Sequence, residues 1–292
     1  MPNLFFTVGL PASGKDSYYP SCGGVHVSSD AIREEIFDDV NDQSHNSEVF
    51  NIMMKRTQKA LISGKDVYYN ATNLSAKRRI NFLKAIANIK NVNKVCILFV
   101  TPFNVCLERN EQRYRTVPRS VMYSMLKKFT PPHKSEGWDD ICIVGFQESS
   151  PNIEEYLKAL TIAPHDNSHH SLTIGNHMIK AYNEYKARTE NPDYTIAQSI
   201  RYHDIGKLIC KTFYNRQKKL SSEAHFYNHE NVSAYLFLSM IEDDYALEAA
   251  NLIVHHMIFF QDEKYQQKIH NRFGDDFWKK LLTIHTFDVL GH

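Results

Sequence analysis

The sequence predicts two domains in 292 residues: an α/β domain, a parallel sheet covered by helices, over residues 1–160, and an all-helical domain over 165–292. Three observations lead there. In the first half, short β-rich runs alternate with helical apolar spacing, the pattern of strand–helix–strand units whose crossovers make sheets parallel. In the second half, apolar residues recur at spacings of three and four with almost no strand signal. Twelve of the fifteen histidines lie after residue 160, so the halves differ in chemistry as well as in period.

Residues 4–8, 67–69 and 95–100 are short, apolar and β-branched or aromatic, as buried strands are. A further strand ends at Val27, and 141–146 completes the sheet. Between the strands, 46–62, 76–89 and 102–114 carry helical spacing, with Asn73-Leu74-Ser75 and Thr101-Pro102 as starts for two of them. A helix over 153–160 closes the first domain. The polar, turn-rich stretch "TIAPHDNSHH" at 161–170 marks the boundary. Helices follow near 172–187, 194–202, 229–241, 245–258 and 275–290.

Hydrophobic residues at 42% and charged residues at 23% describe an ordinary soluble globular chain. No run of eighteen apolar residues exists, so no membrane span is expected. The N-terminus lacks a basic segment and cleavage site, so no signal peptide is expected. Cysteines at 22, 96, 106, 142 and 210 form no CxxC pair, which points to reduced thiols and a cytoplasmic setting. A net charge of +1 does not advertise a nucleic-acid binder. Any such role would rest on local patches: Lys77-Arg78-Arg79, Arg109 to Arg119, and Arg216 to Lys219.

The first strand runs into Gly9-Leu-Pro-Ala12-Ser13-Gly14-Lys15. Glycines let backbone amides curl around a phosphate, the following helix adds its N-terminal partial charge, and Lys15 reaches the terminal phosphates. ATP with Mg²⁺ is the expected ligand, contacted by Gly9, Ala12, Ser13, Gly14, Lys15, Asp16 and Ser17. Asp16 stands where a hydroxyl normally ligates Mg²⁺. A carboxylate is a good hard-metal ligand, so Asp16 is expected in the Mg²⁺ shell, with Ser17 turned about 100° away.

Asp30 and Arg33 follow the second strand one helical turn apart, on the sheet edge where ligands bind in such folds. The carboxylate can take a proton from an attacking hydroxyl while the guanidinium holds a phosphate beside it. Arg109 and Arg113, at i and i+4, can swing over the donor phosphates as a lid.

The elements "GLPASGK", "SSDAIR", "ATNLSAKRR", "RNEQRYRTVP" and "EGWDDI", in this order, resemble the 5′-hydroxyl polynucleotide kinases of RNA and DNA end repair. The resemblance spans about residues 4 to 145. It implies that Asp30 is the general base for the 5′-hydroxyl and that Arg33 holds the acceptor's phosphate. It likewise implies that Lys15, Arg109 and Arg113 act on the donor phosphates. The sequence departs from that pattern at Asp16 and at Asn70, where an Asp is common.

The second half carries "SIRYHDIGKL". Adjacent His203 and Asp204 suit a borderline divalent metal such as Mn²⁺, Fe²⁺, Ni²⁺ or Co²⁺. His177, His225, His229, His255, His256 and Asp288 are the surrounding candidates. The order H…HD…H…H…D resembles the HD-superfamily metal-dependent phosphohydrolases over about residues 165 to 292. This resemblance implies His177, His203, Asp204 and Asp288 as primary ligands, with His229 and His256 extending the set to a second metal. Its pattern prefers His256 over His255. Lys207 can stabilise phosphate charge or cap its helix.

Together the two halves imply an RNA or DNA end-healing enzyme. One half phosphorylates a 5′-hydroxyl with ATP, the other removes 2′,3′-cyclic, 2′- or 3′-phosphate, and a ligase is the partner that seals the product. Two alternatives stand beside it: a nucleoside or sugar-nucleotide kinase joined to an HD nucleotidase, and an HD hydrolase gated by ATP.

Overall fold

The computed structural model describes residues 1–39, 44–145, 152–168 and 171–291. The chain divides into two compact units, Met1–Met125 with Pro132–Gln147 and Leu126–Pro131 with Glu148–His292. This corrects the expected division into 1–160 and 165–292. The helix at 153–160 belongs to the second unit, where Glu154 accepts from Arg201 Nη2 at 2.7 Å and Tyr202 Oη at 2.5 Å. Leu126–Pro131 joins it because Phe129 packs edge-on against Tyr235 and Asn231 Nδ2 donates to the Lys127 carbonyl at 2.8 Å.

The first unit runs β1 (Asn3–Val8), α1 (Lys15–Cys22), β2 (Val25–Ser28), α2 (Ser29–Phe37), α3 (Asn46–Ile62), β3 (Val67–Asn70), α4 (Ala76–Ala85), β4 (Asn93–Phe99), α5 (Phe103–Glu111), α6 (Arg119–Leu126) and β5 (Asp140–Val144). The strands lie in the order β2-β3-β1-β4-β5, and every pairing is parallel. Leu4, Phe6 and Val8 of the central strand are fully buried, as a strand covered on both faces requires. The register sets Ser28 beside Asn70, so the C-terminal ends of β2 and β3 meet at one edge with the loop that follows β1. Phe146, expected in the last strand, lies outside the described residues.

Helix α5 ends at Glu111 rather than at 114. The Asn110 side chain accepts from Val117 N at 2.9 Å and donates to Val117 O at 2.8 Å, folding the chain back. Arg109 and Arg113 therefore do not share a helix face. Arg79, expected in a basic surface patch, is fully buried. Its Nε and Nη2 donate to Glu136 at 2.8 and 2.7 Å, and its Nη1 donates to the carbonyls of Asn73 and Leu74. Trp138 Nε1 completes the carboxylate's bonds at 2.9 Å. The "ATNLSAKRR" and "EGW" elements are thus two ends of one buried ion pair that fixes the loop after β3.

The second unit runs α7 (Ile153–Leu160), α8 (Ile174–Arg188), α9 (Tyr194–Tyr202), α10 (Lys207–Cys210), β6 (Thr212–Tyr214), β7 (Leu220–His225), α11 (His229–Met240), α12 (Ala246–His255), α13 (Glu263–Phe273) and α14 (Asp275–Leu290). Ile200, Leu252, Leu281 and Ile284, fully buried, bring α9, α12 and α14 around one core. The antiparallel β6–β7 hairpin corrects the expectation of an all-helical domain. Burial could not mark it, because Ala224 is the sole buried residue of β7. Helix α13 was hidden for the same reason, with Ile269 alone buried. Among the described residues no helix is long and apolar enough to cross a membrane.

Candidate active sites

In the first unit, Ala12 (φ 61°) and Gly14 (φ 94°) take left-handed backbone to curl the loop, and the second is a position suited to glycine. Gly9 is required by packing, since a Cβ there would stand 2.8 Å from both Phe99 Cβ and Ser13 Oγ. Thr101 Oγ1 donates to the Ser13 carbonyl at 3.0 Å and ties the loop to the end of β4. The Lys15 ammonium folds onto the loop, donating to the carbonyls of Gly9 at 3.2 Å and Leu10 at 2.5 Å and to Ser13 Oγ at 3.3 Å. Burial lowers it to about 8, partly offset by the charges of Asp16 and Asp30, with Arg113 adding to the lowering. Such an ammonium gains by exchanging carbonyl dipoles for phosphate charge.

The two departures from the resembled pattern touch each other. Asn70 Nδ2 donates to Asp16 Oδ1 at 2.6 Å and lies 3.3 Å from His26 Nε2. Asp16 and Ser17 are both exposed on the first turn of α1.

Asp30 sits at the start of α2, held by two guanidinium groups. Arg33 Nη1 stands 3.1 Å from Oδ1 and Arg115 Nη1 2.6 Å from Oδ2. Arg33 is buried and also donates to the Ser29 carbonyl and to Asn46 Oδ1, which makes it an anchor for Asp30. Arg115 was not singled out in the sequence, because its reach depends on the fold-back imposed by Asn110. Arg113 is partly buried and its charge acts on Lys15, whereas Arg109 is exposed on α5. This arrangement binds polyphosphate at the loop and presents an oriented carboxylate beside it.

The second unit gathers His177, His203, Asp204, His229, His256 and Asp288, all buried, from α8, the turn after α9, α11, the turn after α12, and α14. His177 Nε2 lies 3.2 Å from His203 Nε2 and 2.9 Å from Asp288 Oδ1. His203 Nε2 lies 3.1 Å from Asp288 Oδ1 and 3.3 Å from Asp204 Oδ2. His229 Nε2 lies 3.1 Å from Asp204 Oδ1 and 3.3 Å from His256 Nε2. His255 turns away to pack on Phe273 and Phe277, and His225 stacks on Tyr227.

The donor set fits a metal ion. Nδ1 of His203, His229 and His256 lies 2.8, 2.8 and 2.7 Å from the carbonyl oxygens of Ile200, Phe226 and Ile253. A carbonyl only accepts, so each Nδ1 carries the proton, and in the neutral ring each Nε2 presents a lone pair to the centre. Lone pairs and carboxylate oxygens about 3.2 Å apart repel unless a proton or a metal ion lies between them, and ligand atoms about 2.1 Å from one ion stand at such spacings.

Burial opposes charge on His203, yet Asp204 and Asp288 outweigh it and raise the ring to about 10. Burial, then the charges of His203 and His229, push His256 down to about 3. Burial also opposes charge on Asp204, but Lys207 and His203 hold its carboxyl well below the usual range. Lys207 Nζ lies 2.6 Å from Asp204 Oδ2 and donates to His165 Nε2 at 3.2 Å. Buried His165, lowered to about 4 by burial and by Lys207, is an acceptor whose Nδ1 donates to the Leu172 carbonyl. No spacing rule marked His165, which belongs to the interdomain stretch as read from sequence.

The sequence model of the family described as AAA domain matches residues 4–132. L-seryl-tRNA(Sec) kinase of Methanococcus maripaludis is 26% identical over 145 residues, covering 47% of this chain and 56% of that protein. The chain thus spans a little over half the length of this curated relative. Among solved structures, a candidate kinase from Chloroflexus aurantiacus shares 17% identity over 49% of this chain and 85% of its own, with a TM-score of 0.41. A gluconokinase from Sinorhizobium meliloti 1021 shares 18% over 49% and 82%, with a TM-score of 0.34. The parallel sheet, the loop that folds around Lys15 and the match over residues 4–132 agree: the first unit is a P-loop domain of the kinase type.

Proposed function

We propose that the protein heals nucleic-acid ends, those of RNA above all. The first unit is an ATP-dependent 5′-hydroxyl kinase, and the second an HD-type 2′,3′-phosphatase or phosphodiesterase. The observation that carries this reading is the coexistence, in one chain, of a carboxylate aimed beside a P-loop and an imidazole–carboxylate cluster fit for metal. The name of the curated relative, a kinase of seryl-tRNA, supports an acceptor hydroxyl borne on RNA.

In the kinase half the acceptor oxygen bonds to the γ-phosphorus of ATP as the bond to the β-phosphate oxygen breaks. Asp30 takes the hydroxyl proton, kept in place by Arg33 and Arg115. Lys15 and Arg113 neutralise charge on the phosphoryl oxygens as it develops. Asp16 would hold Mg²⁺, which would supply neutralisation of phosphate charge.

In the second half His177, His203, Asp204 and Asp288 would hold a divalent ion and His229 and His256 a second one, which would supply Lewis-acid activation of water and of the phosphoester. Lys207, fixed by His165, adds positive charge at the same wall.

The test is incubation of RNA bearing 5′-hydroxyl and 2′,3′-cyclic phosphate with ATP and Mg²⁺ or Mn²⁺, resolving both ends. Lys15→Ala abolishes the 5′ reaction alone, and Asp204→Ala the 3′ reaction alone. Transfer of label solely to mononucleosides overturns the reading.

A further inference from the structure

The second unit contains a cavity of about 610 Å³ that runs from Asp204, His256 and Asp288 past Lys207 to Arg216, Tyr227 and Phe260. That is far more room than one phosphate needs and falls in the range of nucleotide-sized ligands. Its walls carry three chemistries. The metal-ligating groups and Lys207 suit a phosphoester. Phe260, 61% exposed although it is a large apolar ring, offers an aromatic face at the mouth. Arg216 offers a second cation at a place where the reacting phosphate has no need of one.

Arg216 is held, not dangling. It sits at the tip of the β6–β7 hairpin, with its guanidinium 5.3 Å from the Tyr227 ring centroid. Asn215 ties the tip together: its side chain accepts from Gln217 N at 3.0 Å and Lys219 N at 2.9 Å, and its carbonyl accepts from Lys218 N. Lys218 takes left-handed backbone (φ 58°), a conformation uncommon for residues other than glycine, and closes this turn. Lys218 and Lys219 are exposed and continue the positive charge away from the cavity. A free nucleotide leaves nothing to meet them, whereas a strand leaving the cavity does.

Resting on the hydrolase reading above, we infer that the hairpin is a strand-binding subsite for the 3′ end of a nucleic acid: Arg216 holds the phosphate that precedes the terminal nucleotide, and Phe260 stacks the terminal base. The second unit therefore takes a polynucleotide end in preference to a mononucleotide.

The test uses the full chain and fluorescence anisotropy of a trinucleotide with 3′-phosphate, whose 5′ end carries fluorescein so that no 5′-hydroxyl is offered to the kinase half. Arg216→Ala weakens the trinucleotide about tenfold and lowers the slope of log affinity against log salt by about 0.7, the share of one single-strand phosphate contact. It leaves competition by a nucleoside 3′-monophosphate unchanged. Phe260→Ala weakens both ligands by about fivefold or more. Lys279→Ala, an exposed cation on α14, changes neither.

Trinucleotide binding that ignores Arg216→Ala, or that falls equally with Lys279→Ala, overturns the subsite. A nucleoside 3′,5′-bisphosphate carries the phosphate assigned to Arg216, so it competes better than the 3′-monophosphate in wild type and loses that advantage in Arg216→Ala; equal competition by the two in wild type overturns the subsite. Release of phosphate is measured in parallel on trinucleotide and mononucleotide. Hairpin-dependent binding with no phosphate released sinks the hydrolase reading and leaves the subsite standing. Equal KM for the trinucleotide in wild type and Arg216→Ala sinks the subsite and leaves the hydrolase.

Discussion

Asn70 Nδ2 donates to Asp16 Oδ1 at 2.6 Å, joining the end of β3 to the first turn of α1. Taken along the chain, these are two separate departures from the resembled kinases, which have a hydroxyl at the first position and commonly an Asp at the second. In space they are one exchange. In this chain the helix supplies the carboxylate, and the strand supplies the amide that orients it.

The exchange predicts how the pair responds to mutation. Asp16→Ala raises the Mg²⁺ concentration for half-maximal ATP turnover by about tenfold, because a hard oxygen ligand is lost. Asn70→Asp alone sets two carboxylates within hydrogen-bond distance and weakens ATP binding by like-charge repulsion. The double variant Asp16→Ser, Asn70→Asp restores turnover to within about tenfold of wild type. Steady-state kinetics across a Mg²⁺ titration decides it; an Asp16→Ala enzyme with an unchanged Mg²⁺ profile sinks the exchange.

Lys15, lowered to about 8 from 10.5, predicts proton uptake when nucleotide binds. Phosphate charge beside the ammonium returns its affinity for the proton. At about pH 8.5 ATP binding therefore takes up part of one proton, and at about pH 6.5 none, because the group is already charged. Calorimetry in buffers of different ionisation enthalpy measures this, and Lys15→Met abolishes it. Linkage gives a second sign for the free protein. Between about 8 and 10.5 the unfolded chain holds a proton that the folded chain has released, so stability rises with pH across that window. Equal pH slopes for wild type and Lys15→Met would contradict the account.

His203, raised to about 10, predicts that metal uptake releases a proton. Asp204 and Asp288 hold that proton in the metal-free protein, and a metal must displace it from Nε2. Between about pH 6 and 8, affinity for Mn²⁺ or Ni²⁺ rises about tenfold per pH unit for each proton displaced. In the metal-free protein the same proton stabilises the fold fully below about 6.5, and this contribution is lost as pH rises through about 10. Metal titrations at three pH values, with bound metal counted by mass spectrometry, test the slope. Asp204→Ala and His203→Ala lose the metal. Affinity independent of pH argues against the proton at His203.

Both sites were legible in outline where chemistry dictates local sequence. The loop at 9–15 announces itself because its tight backbone calls for glycine at set spacing, and His203-Asp204 because an imidazole beside a carboxylate stands out and the fold gathers four further buried imidazole and carboxylate groups around it. What escaped depends on contacts between distant residues. Arg115 reaches Asp30 because Asn110 ends α5 early and bonds Val117. Leu126–Pro131 joins the second unit through Phe129 and Tyr235, more than a hundred residues apart, which no window along the chain can register. The hairpin escaped because its strands are short and bury little, so that neither period nor hydrophobicity marked them.

Gly206, two residues beyond Asp204, sets how closely the histidine–aspartate cluster is approached by α11. A Cβ there would stand 2.5 Å from the His229 carbonyl oxygen and 2.6 Å from Ser233 N, both backbone atoms of α11 that cannot swing aside. The close approach is fastened by Gly206 N donating to Ser233 Oγ at 2.8 Å. Its backbone (φ −77°) suits any residue, so proximity alone calls for glycine. Gly206→Ala must push α11 away and carry His229 from Asp204, now 3.1 Å apart. Overpacking of this kind costs about 1–3 kcal/mol. The variant therefore shows a lower melting temperature for the second unit and lower metal content, while ATP turnover by the first unit is retained. Ser233→Ala leaves the Gly206 amide without its acceptor, at a cost of about 1–3 kcal/mol. It keeps the glycine contact and so retains more metal than Gly206→Ala. Wild-type metal content in Gly206→Ala would show that the cluster does not depend on this helix contact.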